Sequence, residues 1–477
     1  MKILLVHGYF LSRDKSEQKV MKPYPPLGLL YLSASLKKAG YDVQVFDGTF
    51  SDFSDFENHL KPFQPDVIGF YANMMTRHNI LELNAIATSK GFPTIVGGPD
   101  PPHYAEAYLE KGFKAVVVGE GEGGLLSLLG VWSSPEKWQT IPGLIYLSAN
   151  QVIRTPLPKP NTPLDNFPFP DREAIDINQY LDCWERYHQQ RPMSLITSRG
   201  CPFQCTWCSH NVYGYSLRKR TPENVLEEFD WLHSHYRFDC YWFADDVFTI
   251  QPKWNTQFAE KLLQHPSLVK PFECISRADK LHSDTIQTLR ETKCARVWVG
   301  AESGSQRLLD QMKRGVTRNQ VIAAVHELRE AGIETGMFFM WGFMDESLQD
   351  IMDTISLAEA CIPHIALTTV AYPIRGTKFF SELEKEDLLD TDVPFEKGTD
   401  RDIRIRGQAD PGVYDLANQY LHCSLNAARA KAGPFLQQCK GLLYLVRKRN
   451  LRHKLVSAFQ KQGSSHHISQ IQRRPAS

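Results

Sequence analysis

The residues whose types and spacing point most directly to chemistry are three cysteines in Arg199-Gly200-Cys201-Pro202-Phe203-Gln204-Cys205-Thr206-Trp207-Cys208. Soft thiolates suit iron-sulfur clusters or zinc. On one short loop, three of them can face a common centre. A cubane has four irons, so three local ligands would leave one iron open to a small molecule. Zinc would normally ask for a fourth ligand, which His210 could supply, although its closeness to Cys208 makes that site cramped. The other cysteines, Cys183, Cys240, Cys274, Cys294, Cys361, Cys423 and Cys439, are scattered and read as buried thiols. In a long chain with no recognisable export signal, such usage speaks against a disulfide framework.

The elements around the cysteines have to place them. Strand candidates at Met193 to Thr197, Asp239 to Ala244, Phe272 to Ser276, Arg296 to Ala301, Glu334 to Met340 and Ile365 to Tyr372 alternate with helical segments. That series predicts a barrel or partial barrel, with function at the C-terminal ends of the strands. The cysteine loop follows the first of these strands. An earlier series, Lys2 to His7, Asp42 to Asp47, Asp66 to Tyr71, Pro93 to Gly97 and Ala115 to Gly119, predicts a parallel sheet covered by helices. One of those helices spans Leu27 to Ala39 and is closed by Gly40. The proline-rich stretch between the two series reads as an ordered linker, and beyond Phe380 the pattern becomes helical. The expected domains are therefore 1–147, a linker 148–192, 193–380, and a helical region 381–477.

The C-x-x-x-C-x-x-C spacing, with Trp207 before the last cysteine and a preceding barrel strand, resembles the radical SAM superfamily. The resemblance implies that Cys201, Cys205 and Cys208 hold a [4Fe-4S] cluster. Its open iron would bind S-adenosylmethionine (SAM), and one electron would then cleave a carbon-sulfur bond to give a deoxyadenosyl radical. Later strand ends take roles by the same likeness. Asp245 and Asp246 would meet the methionine amine, while Arg277, Glu302 and Ser303 would meet the carboxylate and ribose. An ion pair with Asp279 is an equal reading of Arg277. Gly342, opening Gly342-Phe343-Met344-Asp345-Glu346, resembles an adenine-side element that here lacks its proline. In Tyr372-Pro373-Ile374-Arg375-Gly376-Thr377, Arg375 replaces a proline and reads as a solvent-facing turn residue.

Three glycine-bearing loops sit at strand ends in the first series: Pro25-Pro26-Leu27-Gly28, Gly97-Gly98-Pro99 and Gly119-Glu120-Gly121-Glu122-Gly123. Each alone is a plain turn. In this order, ahead of a radical SAM barrel, they resemble the cobalamin-binding domain of cobalamin-dependent radical SAM enzymes. The fold class implied is α/β: a Rossmann-like cobalamin-binding domain, a partial (β/α)6 TIM-like barrel and a C-terminal helical region. Tyr71 and Asn73 would line the lower face of the corrin. The D-x-H-x-x-G motif is absent from residues 1 to 150, so that face is expected to lack a protein histidine, with His7, His78 and His103 as possible contacts. The resemblance favours a methyltransferase acting on an unactivated carbon. The alternative within the family is an oxidative cyclase or hydroxylase of the anaerobic Mg-protoporphyrin monomethyl ester type. A non-enzymatic metal- or cobalamin-binding protein is the alternative of another class.

Composition is that of an ordinary globular protein: 477 residues, 42% hydrophobic, 23% charged and formally neutral. No nucleic-acid partner is expected from that balance. No run approaches the ~20 apolar residues of a membrane span, so the cytoplasm is the expected location. The implied partners are a small-molecule or lipid-like substrate and a one-electron donor such as flavodoxin or ferredoxin. No acidic residue follows Asp415, while Lys440, Arg447, Lys448, Arg449, Arg452, Lys454, Lys461, Arg473 and Arg474 crowd the C-terminus. Leu442, Leu443, Val446, Leu455 and Phe459 lie among them, so peripheral contact with an anionic membrane competes with a solvated tail.

Overall fold

Alternate residues of the first strand divide between two cores, Leu4 and Val6 on one side and Ile3 and Leu5 on the other, as a sheet covered on both faces requires. The computed structural model describes residues 1–158, 162–209, 214–391, 393–432 and 435–471, with 432, 435–442 and 462–471 by backbone alone. The first half runs β1 (Lys2–His7), α1 (Glu17–Val20), α2 (Leu27–Lys38), β2 (Asp42–Asp47), α3 (Phe53–Phe63), β3 (Val67–Tyr71) and α4 (Arg77–Ser89). It continues through β4 (Thr94–Gly97), α5 (Ala105–Glu110), β5 (Ala115–Val117), α6 (Gly121–Gly130), β6 (Leu144–Ser148) and β7 (Gln151–Arg154).

Its sheet has the order β2-β1-β3-β4-β5-β6-β7. The first five strands are parallel, while β6 and β7 add an antiparallel edge that the repeating pattern did not announce. Strand order leaves β1 in both directions, so the crevice above β1 and β3 is a topological switch point, where open α/β sheets bind ligands.

Residues 148–192, read from their prolines as a linker, contain β7 and a helix, α7 (Ile177–His188). Asp176 caps α7 by accepting from the Asn178 amide, and Ile177, Tyr180, Leu181 and Trp184 are buried at helical spacing. The same stretch sends Arg172 into the second half, where it pairs with Glu228 at 2.6 Å and donates to the Ser194 carbonyl at 2.9 Å. This stretch therefore fastens the two sheets together.

The second half contains β8 (Pro192–Leu195), β9 (Ser198–Arg199), β10 (Arg218–Lys219), α8 (Pro222–His235), β11 (Cys240–Phe243), α9 (Pro252–Leu263), β12 (Phe272–Ser276) and α10 (Ser283–Glu291). After these come β13 (Cys294–Glu302), α11 (Gln306–Gln311), α12 (Arg318–Glu330), β14 (Glu334–Trp341), α13 (Leu348–Cys361), β15 (Ile365–Val370) and α14 (Lys378–Lys385). The six strands β15-β14-β13-β12-β11-β8 are all parallel and in sequential order, which makes an open, partial barrel. Capping boxes start α12 at Thr317 and α13 at Ser347.

Beyond Phe380 the chain is not uniformly helical. Two short antiparallel strands, Leu389–Asp390 and Arg404–Ile405, precede α15 (Pro411–Ala432) and α16 (Phe435–Ile471). The loop around Gly398 returns to the first half, where the buried Arg77 donates to its carbonyl at 2.9 Å and pairs with Asp100 at 2.5 Å. Arg375, expected in solvent, instead donates to the Tyr104 hydroxyl at 3.0 Å, because this turn is covered by the same contact. Among the described residues, no helix is long and apolar enough to cross a membrane.

Candidate active site

The cysteine loop leaves the C-terminal end of β8 and is pinned at three points. Thr206 donates its amide to Met312 O at 3.0 Å and accepts from Phe379 N at 2.9 Å, and Lys378 Nζ reaches Gln204 Oε1 at 2.9 Å. Cys201, Cys205 and Cys208 are half-buried and line one cavity of about 450 Å³. Burial pushes the Cys201 thiol up. Among the described residues no group of three Cys, His, Asp or Glu side chains is placed to hold one metal ion. His210 lies outside the described residues.

Two guanidinium groups approach the cluster loop from below. Arg277 Nη1 is 3.8 Å and Arg314 Nη1 3.7 Å from Cys205 Sγ. Such cationic N–H donors favour thiolate sulfur and a more reduced cluster. Arg277 also stacks on Phe203 at 3.6 Å, donates to Arg314 O at 2.6 Å and pairs with Asp279 at 2.8 Å. Its ion pair with Asp279 and its place in the cavity therefore both exist, with the arginine buried and the aspartate partly exposed.

The strand ends divide the remaining predicted residues. Trp207, Asp246 and Glu302 line the cavity. Glu302 sits at φ 59° beside a bulge in β13, the kind of strained position that re-aims a side chain at a site. Burial raises its carboxyl, and Arg314 at 3.7 Å and Arg277 oppose that rise. An added Cβ on Gly300 would lie 2.5 Å from Arg314 Nη2, so the bare glycine admits the guanidinium.

Asp245 borders the cavity, but its carboxylate is occupied. It accepts from Thr197 N at 2.6 Å, Ser198 N at 3.1 Å and the Thr197 hydroxyl. Its structural work is to tie β8 to β11 and aim the cysteine loop, while the neighbouring Asp246 lines the cavity. Two other expected contacts lie elsewhere. Ser303 turns to Thr354 of α13 at 3.1 Å. Gly342, at φ 73°, packs under Tyr414 and donates to Glu346 at 2.6 Å, so it shapes the loop from behind the cavity. Arg314, Phe203, Thr368 and Thr369 also line the cavity and were not anticipated. Only the glycine after Arg314 hinted that the chain turns back there.

A second cavity, about 510 Å³, lies at the switch point of the first sheet. Pro26, Leu27, Gly28, Tyr71, Asn73, Gly97, Gly98, Gly119, Glu120, Gly121 and Glu122 all line it, and so does His7. His103 lines a neighbouring cavity of about 1330 Å³, and His78 lines neither. A Cβ on Gly28 would meet no protein atom, which leaves room above the helix for a ligand. Gly98, at φ 112°, is needed for a different reason: a Cβ there would sit 2.3 Å from the Ala72 carbonyl.

The two halves meet at Arg199, directly before the cysteine loop. It is buried between the rings of Tyr31 and Phe167, pairs with Glu122 at 2.7 Å and lies 3.5 Å from Glu120. Arg218 of β10 also pairs with Glu120. Ser209, the residue after Cys208, lines both the 510 Å³ and the 1330 Å³ cavities. Cys208 itself lines the cysteine cavity, so consecutive residues of one loop line it and the other two.

Comparison with known proteins settles the family. The B12 binding domain model matches residues 18–129 and the radical SAM superfamily model residues 195–358. A Pyrococcus horikoshii protein described as an uncharacterized methyltransferase is 30% identical over 398 residues, covering 82% of this chain and 84% of its own. The chain belongs to the cobalamin-dependent radical SAM superfamily. This radical SAM chain is also 25% identical, over 81% of its length and 64% of the relative's, to the anaerobic magnesium-protoporphyrin IX monomethyl ester cyclase of Cereibacter sphaeroides. In fold it is similar to a solved cobalamin-dependent SAM radical enzyme (TM-score 0.75, 18% identity, 95% of this chain and 72% of that one).

As a radical SAM enzyme it takes a [4Fe-4S] cluster, SAM and cobalamin as cofactors. The donor set and the cavities fit them. Three thiols with two guanidinium groups behind one of them suit a cluster. The polar-edged cavity over it suits SAM, and the deep crevice with its open glycine edge suits a corrinoid.

Proposed function

We propose that this enzyme reductively cleaves SAM at a cluster held by Cys201, Cys205 and Cys208 and methylates an unactivated carbon of a small-molecule or lipid-like substrate. One loop that lines the cysteine cavity with Cys208 and the other two cavities with Ser209 carries this reading, because a substrate carbon must reach both cofactors in turn. When bound, the cluster with SAM supplies a carbon-centred radical and the corrinoid supplies a methyl group.

The chain's own residues bind, orient and exclude water. Asp246, Glu302 and Arg277 offer opposite charges for the amino acid end of SAM, and Phe338, Met340 and Leu367 offer an apolar wall for the rest. Arg199 and Arg218 hold the Glu120 and Glu122 loop against the cysteine loop, keeping the two cofactor sites in fixed register. Leu157, Phe167 and Tyr215 line the 1330 Å³ cavity together with Lys38 and Arg154, a mixture suited to an amphiphilic substrate.

The relative described as a methyltransferase supports methylation more strongly than the less similar cyclase supports ring formation. Methyl-deuterated SAM separates them. With reconstituted enzyme, a reductant and an extract of the source cells, a methylase adds three deuterons to a product, and Cys205→Ala does not. Turnover without label in product would favour the cyclase. A one-electron donor such as flavodoxin or ferredoxin, a cytoplasmic location, and peripheral membrane contact through α16 complete the proposal.

A further inference from the structure

The segment 393–402, between the two short strands beyond α14, reaches back to the first half of the chain. Phe395 packs against the core on one face of the first sheet, in ring contact with Tyr104 and Tyr108. Asp400, 4% exposed, accepts from the Tyr104 hydroxyl.

On the first-half side these contacts converge on two loops that border the corrinoid crevice. Arg77 opens α4 shortly after Asn73, and Asp100 follows Gly98 and Pro99; Asn73, Gly98 and Pro99 all line the crevice. The buried guanidinium grips Asp100 with two bonds, 3.0 Å from Nε and 2.5 Å from Nη2, and lies 4.0 Å over the Tyr104 ring. Tyr108 donates to the same carboxylate at 2.5 Å. The loop after β3 is thereby fastened to the loop after β4.

On the barrel side, the second oxygen of Asp400 accepts from the Arg375 amide at 2.9 Å, and Arg375 Nε donates to the Tyr104 hydroxyl at 3.0 Å. Two residues on, Thr377 caps α14, and Phe379 N donates to Thr206 O in the cysteine loop at 2.9 Å. Between them Gly376, at φ 86°, fits against the His103 ring, where a Cβ would collide. Bonded groups thus run from the crevice edge to the cysteine loop, with Asp400 in the middle. A buried polar network whose members satisfy one another is rigid.

We infer that Asp400 is a positioning residue for both cofactor sites: through Tyr104 and Arg375 it holds the Asn73 and Gly98 edge of the crevice and the cysteine loop in one frame. Ordering either site then removes part of the ordering cost of the other, so the two cofactors bind cooperatively. The inference rests on cobalamin binding in the crevice and SAM binding beside the cysteine loop.

Calorimetric titration of the oxidised, cluster-loaded enzyme with SAM, with and without hydroxocobalamin, tests it without cleaving SAM. Hydroxocobalamin is expected to tighten SAM binding by about fivefold, and SAM to tighten hydroxocobalamin binding by the same factor. Both effects are expected to vanish in Asp400→Ala and in Tyr104→Phe, which keeps its ring over Arg77 and stands in where Asp400→Ala does not fold. Hydrogen exchange supplies the second reading. Hydroxocobalamin should slow exchange in the peptides around Thr206 and Phe379 of the unmutated enzyme and leave them unchanged in the variants, whereas a merely structural contact would alter the baseline and not its dependence on the ligand. Absence of coupling or of protection in the unmutated enzyme, or survival of either in a folded variant, would overturn the inference alone. Failure to bind hydroxocobalamin or SAM at all defeats it together with the reading it rests on.

Discussion

Arg314 shows how a single side chain outside any motif can set the behaviour of the cluster. With Arg277 it places two cationic N–H groups beside Cys205 Sγ. Arg314→Leu should move the cluster's reduction potential in the negative direction by on the order of tens of millivolts, read by potentiometric titration, because the reduced cluster loses a nearby positive charge. An unchanged potential would mean the guanidinium is only structural. Glu346 gives a pH test. Burial pushes its carboxyl from 4.5 up to about 8, partly offset by its bond from the Gly342 amide. The folded state therefore holds this proton more tightly than the unfolded one. The contribution is intact at low pH and is lost as pH rises from about 4.5 through about 8. Glu346→Gln should flatten that loss, gaining on the order of a few kcal/mol at pH 8 relative to pH 5 in denaturant titrations. At this scale the sequence was legible where spacing carried meaning, as in the three cysteines. It was silent where orientation decided: Asp245 and Asp246 are adjacent and chemically alike, and only the fold shows that the first accepts from Thr197 and Ser198.

The elements that matter most are those that join the two halves. β9 carries Arg199 to Glu122, and both side chains are nearly buried, with little water to replace either partner. Arg199→Met should cost roughly 3–5 kcal/mol by leaving Glu122 buried without its partner, and adding Glu122→Gln should recover most of it. Equal losses in the single and double variants would deny the pair its role. α16 presents a different face. Leu443 is 73% and Val446 69% exposed, beside the exposed Arg447 and Arg449. Binding to vesicles containing phosphatidylglycerol is expected, weakening with added salt and lost in Leu443→Asp/Val446→Asp. Equal binding by that variant would rule this face out. Parallel strands were readable because doubly buried strands are continuous apolar runs, as in Ile3 to Val6. The 148–192 stretch was not, because its prolines masked the amphipathic spacing of α7 and nothing local says that Arg172 is to be buried against Glu228.

At the scale of the whole molecule, the sheet order and the partial barrel place three cavities along one loop at Cys208–Ser209, and the proposed function depends on that loop more than on either half. The order of motifs along the chain announced two cofactors. It could not announce that Glu122 and Arg199, far apart in sequence, meet in the fold. The most direct test is chromatographic detection of 5′-deoxyadenosine from SAM, using enzyme reconstituted anaerobically with iron, sulfide and cobalamin and then reduced. The account predicts about four irons per chain and deoxyadenosine formation that Cys201→Ala, Cys205→Ala and Cys208→Ala each abolish. A fully loaded, reduced enzyme that leaves SAM intact would contradict it.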